Sequence, residues 1–335
     1  MTAISVGAAL GSGFSLIRRK PMTVLVWGLL AALAICIFSG AYAGMMWSFF
    51  TFAMTSGMFA NSTPPPELVG EFVGRIMMGE GLFFLAVIVM VILRVMLSAA
   101  VWRAVLHPER GSWAYLRFGV PELLILAMQF AIGLLFNLAF IPLVPVMLVA
   151  GGLLAAHQVL AGAIVGVLGL LVAMVLMIYV ALRFALIGPM IVEDGRFHFI
   201  DAWAITRGKV GSLFLIALAL VVMVWLVELV VVLVIGGVGA AGLGVAAGGF
   251  DHLMEFAQQS PQLIVARLAP ALVICAILAI PIGGAMTSIF AAPWARALLD
   301  LRAAPPAAVP PAAVPPPEPT PELSASEPTP PLALA

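Results

Sequence analysis

From Gly211 to Ile235 the chain carries a single charged side chain, Glu228, and five other stretches are nearly as apolar. About 20 apolar residues at a 1.5 Å rise match the ~30 Å hydrocarbon core of a bilayer. The runs show neither the alternation of a strand nor the one-sided stripe of a soluble helix. Lipid-facing helices satisfy the backbone within each run, and a β-barrel fails on the missing alternation. The expected spans are 22–45, 82–105, 121–149, 159–182, 211–235 and 266–292. The fold class is therefore all-α: a polytopic membrane protein of about six transmembrane helices, arranged as three hairpins with cytoplasmic interfacial helices.

The bulk composition agrees. Hydrophobic residues make up 64% of the chain and charged residues 9%, against about 45–50% and about 25% in soluble domains. Fifteen basic and fifteen acidic residues leave no net charge, hence no electrostatic footprint for nucleic acid. Cys36 and Cys275 lie inside apolar runs and read as small hydrophobes, so neither a disulfide nor a metal site is expected. Arg18, Arg19 and Lys20 before an apolar stretch, with Ala41-Tyr42-Ala43 after it, resemble a secretory signal. The apolar stretch outruns a signal core and continues through Trp47, Phe49, Phe50 and Phe52, which favours an uncleaved first helix.

Basic residues orient the spans. Arg18, Arg19, Lys20, Arg103, Arg110, Arg117, Arg183, Arg196, Arg207, Lys209, Arg296 and Arg302 flank one side, and Arg75 and Arg267 the other. Both termini are expected in the cytoplasm of a bacterial cell, with the chain in the inner membrane. In the first external loop, Leu68, Phe72 and Ile76 share a helical face after Pro64-Pro65-Pro66, which predicts a surface-lying helix. Pro142 and Pro145 predict that the third span ends or kinks near Ile141. The glycine-rich stretch from Gly236 to Gly249 lacks the lysine and hydroxyl of a phosphate-cradling loop. Residues 303–335 are proline- and alanine-rich and too poor in large apolar side chains for a core, so a disordered cytoplasmic tail is expected there, a candidate docking segment for protein partners.

A short motif precedes each odd-numbered span: Phe14-Ser15-Leu16-Ile17-Arg18, Trp113-Ala114-Tyr115-Leu116-Arg117 and Trp203-Ala204-Ile205-Thr206-Arg207. An aromatic with an arginine four residues on suits a helix at headgroup level, with the ring in the acyl boundary and the guanidinium on phosphate. Phe14, Arg18, Trp113, Arg117, Trp203 and Arg207 are thus candidate interfacial anchors on membrane lipids. Leu10, Phe14 and Ile17 form one such face and Phe197, Ile200 and Trp203 another. The spacing suggests three copies of one hairpin, 1–106, 107–190 and 191–302, within a 1–302 transmembrane domain. The competing reading is that such residues flank most membrane helices simply as anchors.

The segment Arg183-Phe184-Ala185, Pro189-Met190-Ile191-Val192-Glu193-Asp194-Gly195 and Asp201-Ala202-Trp203-Ala204-Ile205-Thr206-Arg207-Gly208 resembles bacterial six-helix membrane proteins of unknown function related to the membrane domain of glycerophosphoryl diester phosphodiesterases. Members often carry a serine where this chain has Ala202. The resemblance implies the six-helix fold and no mechanism, and a counterpart of the catalytic phosphodiesterase domain is not expected among these residues.

Chemistry is sparse. His107, His157, His198 and His252 are scattered, and no zinc-protease, Cys-x-x-Cys or nucleophile-elbow pattern occurs. Glu193, Asp194, His198 and Asp201 form the densest titratable group, which reads more simply as a solvated turn with Asp201 capping a helix than as a metal or acid-base site. No catalytic residue and no cofactor is expected. Arg94 lies well inside the second span, where a lone charge costs roughly 2.5–3.5 kcal/mol. Glu122 is its closest candidate partner by depth, while Glu228 belongs nearer the external side. With Gln129 and Asn137, these charges form either a polar path for an ion or lipid headgroup or interhelical glue. Gly162, Gly166 and Gly169 allow close helix approach. The leading functional expectation is a non-enzymatic membrane protein of membrane organisation, envelope homeostasis or partner binding. A transporter or lipid-handling protein using the path near Arg94 comes second, and a membrane-embedded enzyme third.

Overall fold

The computed structural model describes residues 4–55, 66–109, 113–252, 255–256, 259 and 261–303. The described chain is helical without strands, and six of its helical stretches are long and apolar enough to cross a membrane. A short α1 (Val6–Arg19) leads into α2 (Pro21–Thr55) and α3 (Pro66–Leu106), which pair as the first hairpin. A 3₁₀ turn (Trp113–Tyr115) precedes α4 (Val120–Phe140) and α5 (Leu143–Ala155), and α5 packs against α6 (Val159–Phe184). Two short helices, α7 (Ile187–Asp194) and α8 (Phe199–Ile205), connect to the third hairpin. This comprises α9 (Val210–Val231), a π-helical turn (Val232–Gly236), α10 (Gly237–Ala247) and α11 (Pro261–Arg302).

The core lies where α1, α2, α3 and α11 meet. Gly28 of α2 and Gly284 of α11 bring two backbones together: a Cβ at Gly28 would lie 2.8 Å from the Ile280 carbonyl carbon, and one at Gly284 would lie 2.9 Å from that of Val24. α1 packs its Ala9, Gly13 and Leu16 face on α11, again with backbone contact at Gly13. Buried Trp27 donates its indole N–H to the Ala114 carbonyl at 2.8 Å, and Trp102 donates to that of Ala291 at 2.9 Å. These bonds satisfy the one polar atom of each large apolar ring. Outside this core, side chains such as Leu160, Val172 and Trp225 stay over two-thirds exposed, a surface suited to lipid rather than water.

Several expectations change in detail. No separate surface helix precedes the second span, because α3 runs unbroken from Pro66 for 41 residues. Its start pairs with the end of α2, where the Phe52 and Phe72 rings stack with centroids 3.6 Å apart. The Leu68 side chain of the expected face lies outside the described residues. The glycine-rich stretch is helix α10, and glycine there serves packing: a Cβ at Gly242 would overlap the Ala271 methyl group. The Trp113 motif is a 3₁₀ turn with Ala114 and Tyr115 at positive φ, because its carbonyls are turned toward Trp27 and Arg103. The break between α4 and α5 falls at Ile141 and Pro142 as expected, and Gly162 and Gly169 pack α6 closely on α5. The expected disordered tail lies outside the described residues, apart from Ala303.

Candidate functional site

Arg94 sits on α3 nine residues before Arg103, which places it ~13 Å along the helix from the ring of basic residues at that end. Its side chain is exposed and makes no hydrogen bond or ion pair with any described residue. It lines a furrow of about 470 Å³, open at the surface of the bundle between α2, α3, α4 and α11. Ala31 and Ala34 of α2 form the small-residue floor, and Ser98 and Trp102 continue the α3 wall toward the basic end. Thr287, Phe290 and Trp294 of α11 form the facing wall, and Gln129 reaches in from α4.

Gln129 also lines a second groove of about 430 Å³ between α3 and α4, together with Gly133 and Asn137. The two grooves therefore meet at one amide. On α4, Gln129, Gly133 and Asn137 recur every four residues and share a face. Asn137 donates to the Gly133 carbonyl at 2.8 Å, which spends one N–H of its amide on its own helix and leaves the other N–H and the amide oxygen toward the groove. From Glu122 to Asn137 the polar positions of α4 extend ~22 Å, most of a hydrocarbon core. Much of the wall is apolar, from Val91, Leu126 and Phe130 to Trp294. A furrow with one cation, a few neutral polar groups and long apolar walls matches an amphiphile better than a hydrated ion.

Glu122 is not the partner of Arg94. It is 1% exposed at the start of α4 and forms an ion pair with Arg103, while its second oxygen accepts the Gly119 N–H at 2.9 Å. The reason is depth: Glu122 begins its helix beside the end of α3, a little over two helical turns from Arg94. Arg103 also donates to the Tyr115 carbonyl at 3.1 Å. Glu228 lies exposed on α9 without a partner among the described residues and does not line the furrow. Gln129 is thus the one expected polar residue that the fold places beside Arg94.

At the next connection, Arg183 is 8% exposed and spends its guanidinium on Tyr179 Oη (2.8 and 3.1 Å) and the Trp203 carbonyl (3.2 Å). It also lies over the Trp203 ring, 4.6 Å from the centroid. Arg103 and Arg183, each ending an even-numbered span, therefore both bind a carbonyl of the following aromatic motif. The signal was present in the Tyr179–Arg183 spacing and in the motif itself, though neither residue stood out as a site. The anchors divide. Phe14 and Trp113 are 51% and 77% exposed and point away from the core, whereas Trp203 supports Arg183. Arg18, Arg117 and Arg207 are exposed. Leu10 and Ile17 are partly buried against the core, so Phe14 alone of that expected face is free to reach lipid.

Glu193, Asp194, His198 and Asp201 do converge. His198 lies 2.8 Å from Asp201 and 3.2 Å from Asp194, and Arg302 of α11 pairs with Glu193 and Asp194. Among the described residues no group of three or more acidic, histidine or cysteine side chains is arranged to hold a metal. This cluster ties α7 to α11 electrostatically. Comparison of the chain with family models, curated proteins and solved structures finds no match.

Proposed function

We propose that this chain is a non-enzymatic lipid-handling protein of the bacterial inner membrane, which holds a phospholipid headgroup below the membrane surface in the Arg94 furrow. The observation that carries the reading is an exposed, unpaired arginine inside a membrane span, lining a furrow with apolar walls. A lone guanidinium at that depth costs several kcal/mol on a bare helix, and a phosphate oxygen pair is its natural bidentate partner. Acyl chains would follow the apolar walls, and Gln129 and Asn137 would give a headgroup hydrogen bonds farther along α4.

Within this reading both termini are cytoplasmic, since the basic residues gather at the end where α1 begins and α11 finishes. Phe14, Trp113, Arg18, Arg117 and Arg207 anchor that face on headgroups, and residues 303–335 extend from it as a flexible segment for protein partners. Three related hairpins and kinship with phosphodiesterase membrane domains belong to the same proposal. The test is phospholipid movement in proteoliposomes, followed by dithionite quenching of a fluorescent phospholipid. The wild-type chain accelerates loss of the protected signal at least tenfold over empty liposomes, and Arg94→Gln removes most of that acceleration. Equal rates for wild type and empty liposomes would refute lipid handling and favour a scaffolding role.

A further inference from the structure

The charges around the Arg94 furrow discriminate between kinds of phospholipid. Of the side chains that line it, Arg94 alone is ionised, and the groove that it meets at Gln129 is lined by no charged residue. Glu122, the acid at the start of α4, is committed to Arg103 and to the Gly119 N–H. The two grooves together therefore hold one positive charge, with no carboxylate to receive a second cation.

The other polar groups of the furrow are neutral. Ser98 lies one turn from Arg94 toward the basic end of α3, and its hydroxyl makes no hydrogen bond with any described residue. The Gln129 amide likewise has no partner among the described residues. Thr287 donates to the Gly283 carbonyl of its own helix at 2.8 Å, which leaves its oxygen able to accept. Trp102 gives its indole N–H to the Ala291 carbonyl and so offers the furrow only apolar surface.

Charge balance decides which headgroup suits such a lining. A phosphodiester on Arg94 neutralises it, and surroundings of low dielectric constant favour a complex without net charge. A phosphatidylethanolamine or phosphatidylcholine headgroup brings an ammonium beside the guanidinium, so the complex keeps a positive charge and the two cations repel. A lipid with two phosphates leaves one negative charge unanswered. The match is a single phosphodiester whose headgroup carries no other charge and whose hydroxyls can both donate and accept.

We infer that the furrow selects a monoanionic phospholipid with a neutral polyol headgroup, phosphatidylglycerol being the simplest, with its phosphate on Arg94 and its hydroxyls on Ser98, Gln129 and Thr287. This rests on the lipid-holding reading above and adds to it the chemical class of the lipid.

The experiment is thermal unfolding of the purified full chain in an uncharged detergent, titrated with the dioctanoyl forms of phosphatidylglycerol, phosphatidylethanolamine, phosphatidylcholine and phosphatidic acid. Phosphatidylglycerol stabilises at a concentration about tenfold or more below the ethanolamine and choline lipids. That ratio persists in about 0.5 M salt, which screens the attraction of anionic lipid to the basic residues at the end of the bundle. Arg94→Lys keeps the charge and the preference, whereas Arg94→Gln brings these three lipids to within about threefold of one another. Ser98→Ala weakens phosphatidylglycerol about threefold or more and leaves phosphatidic acid, which has no polyol, within about twofold of its wild-type potency. Equal potency of phosphatidylglycerol and phosphatidylethanolamine, both dependent on Arg94, overturns the selection and leaves the lipid-holding reading standing. Absence of an Arg94-dependent response to any of the lipids overturns both. A preference that survives Arg94→Gln or disappears in salt belongs to the basic end and overturns the inference, and indifference to Ser98→Ala overturns the polyol contacts. Phosphatidylcholine as the most potent lipid also overturns it, in favour of an ammonium site on the Phe290 and Trp294 rings.

Discussion

Replacing Gly28 by alanine places a methyl carbon in the seam between α2 and α11, 2.8 Å from the Ile280 carbonyl carbon and 2.9 Å from the Gly284 nitrogen. The Ile280 carbonyl oxygen lies nearer still, so restoring van der Waals separation requires the helices to part locally by more than ~1 Å. The obstructing atoms are backbone, so no rotamer change relieves the overlap. Overpacking of this kind costs about 1–3 kcal/mol, and a backbone obstruction places Gly28→Ala toward the upper end. Gly40 lies in the same helix, and an alanine methyl group there would meet nothing within 4 Å. Gly40→Ala is therefore neutral or stabilising by up to ~1 kcal/mol, through helix propensity alone. Ala31 and Ala34, one and two turns beyond Gly28, floor the Arg94 furrow, so parting the seam also weakens lipid binding several-fold. Thermal unfolding of both variants in one detergent, followed by tryptophan fluorescence, reads the difference. A Gly28→Ala protein as stable as Gly40→Ala would refute the close-packed seam.

Two further substitutions probe the basic end. Glu122→Ala strands Arg103 beside Arg117 and lowers stability by about 3 kcal/mol, the lower end for a broken buried pair because a cavity lined by both residues of the pair admits water; thermal unfolding should show most of the loss recovered in the double variant Arg103→Met with Glu122→Met. Arg183→Lys keeps the charge but loses the planar fork shared between Tyr179 and the Trp203 carbonyl, at a cost of about 1–3 kcal/mol, and red-shifts Trp203 fluorescence as the ring loses its cover.

The six spans were legible because hydrocarbon leaves a chain few choices: long apolar runs must become helices, and their length is set by the bilayer. The break at Pro142 was legible for the same local reason, since proline removes a donor. Arg94 could be singled out because its depth follows from counting residues. Its partner could not, because the rise along two helices gives depth only after their tilt and ends are known. Glu122 begins its helix level with Arg103, an arrangement that depends on the 3₁₀ turn at Trp113 to Tyr115. That turn is invisible to periodicity: Ala114 and Tyr115 adopt positive φ as Trp27, 87 residues away, and Arg103, at the end of the preceding span, bind their carbonyls. Likewise, the start of α3 reads as amphipathic, yet pairing of Phe72 with Phe52 carries it straight into the span. The furrow at Arg94 draws its lining from four separated helices, and no local pattern marks it.

The most direct measurement is native mass spectrometry of the protein released from phospholipid nanodiscs, comparing wild type, Arg94→Gln and Glu228→Gln. A phospholipid held by Arg94 in the furrow predicts one retained lipid on wild type and on Glu228→Gln, and its loss from Arg94→Gln. The same retained lipid on all three proteins would contradict the assignment of Arg94 as the headgroup ligand.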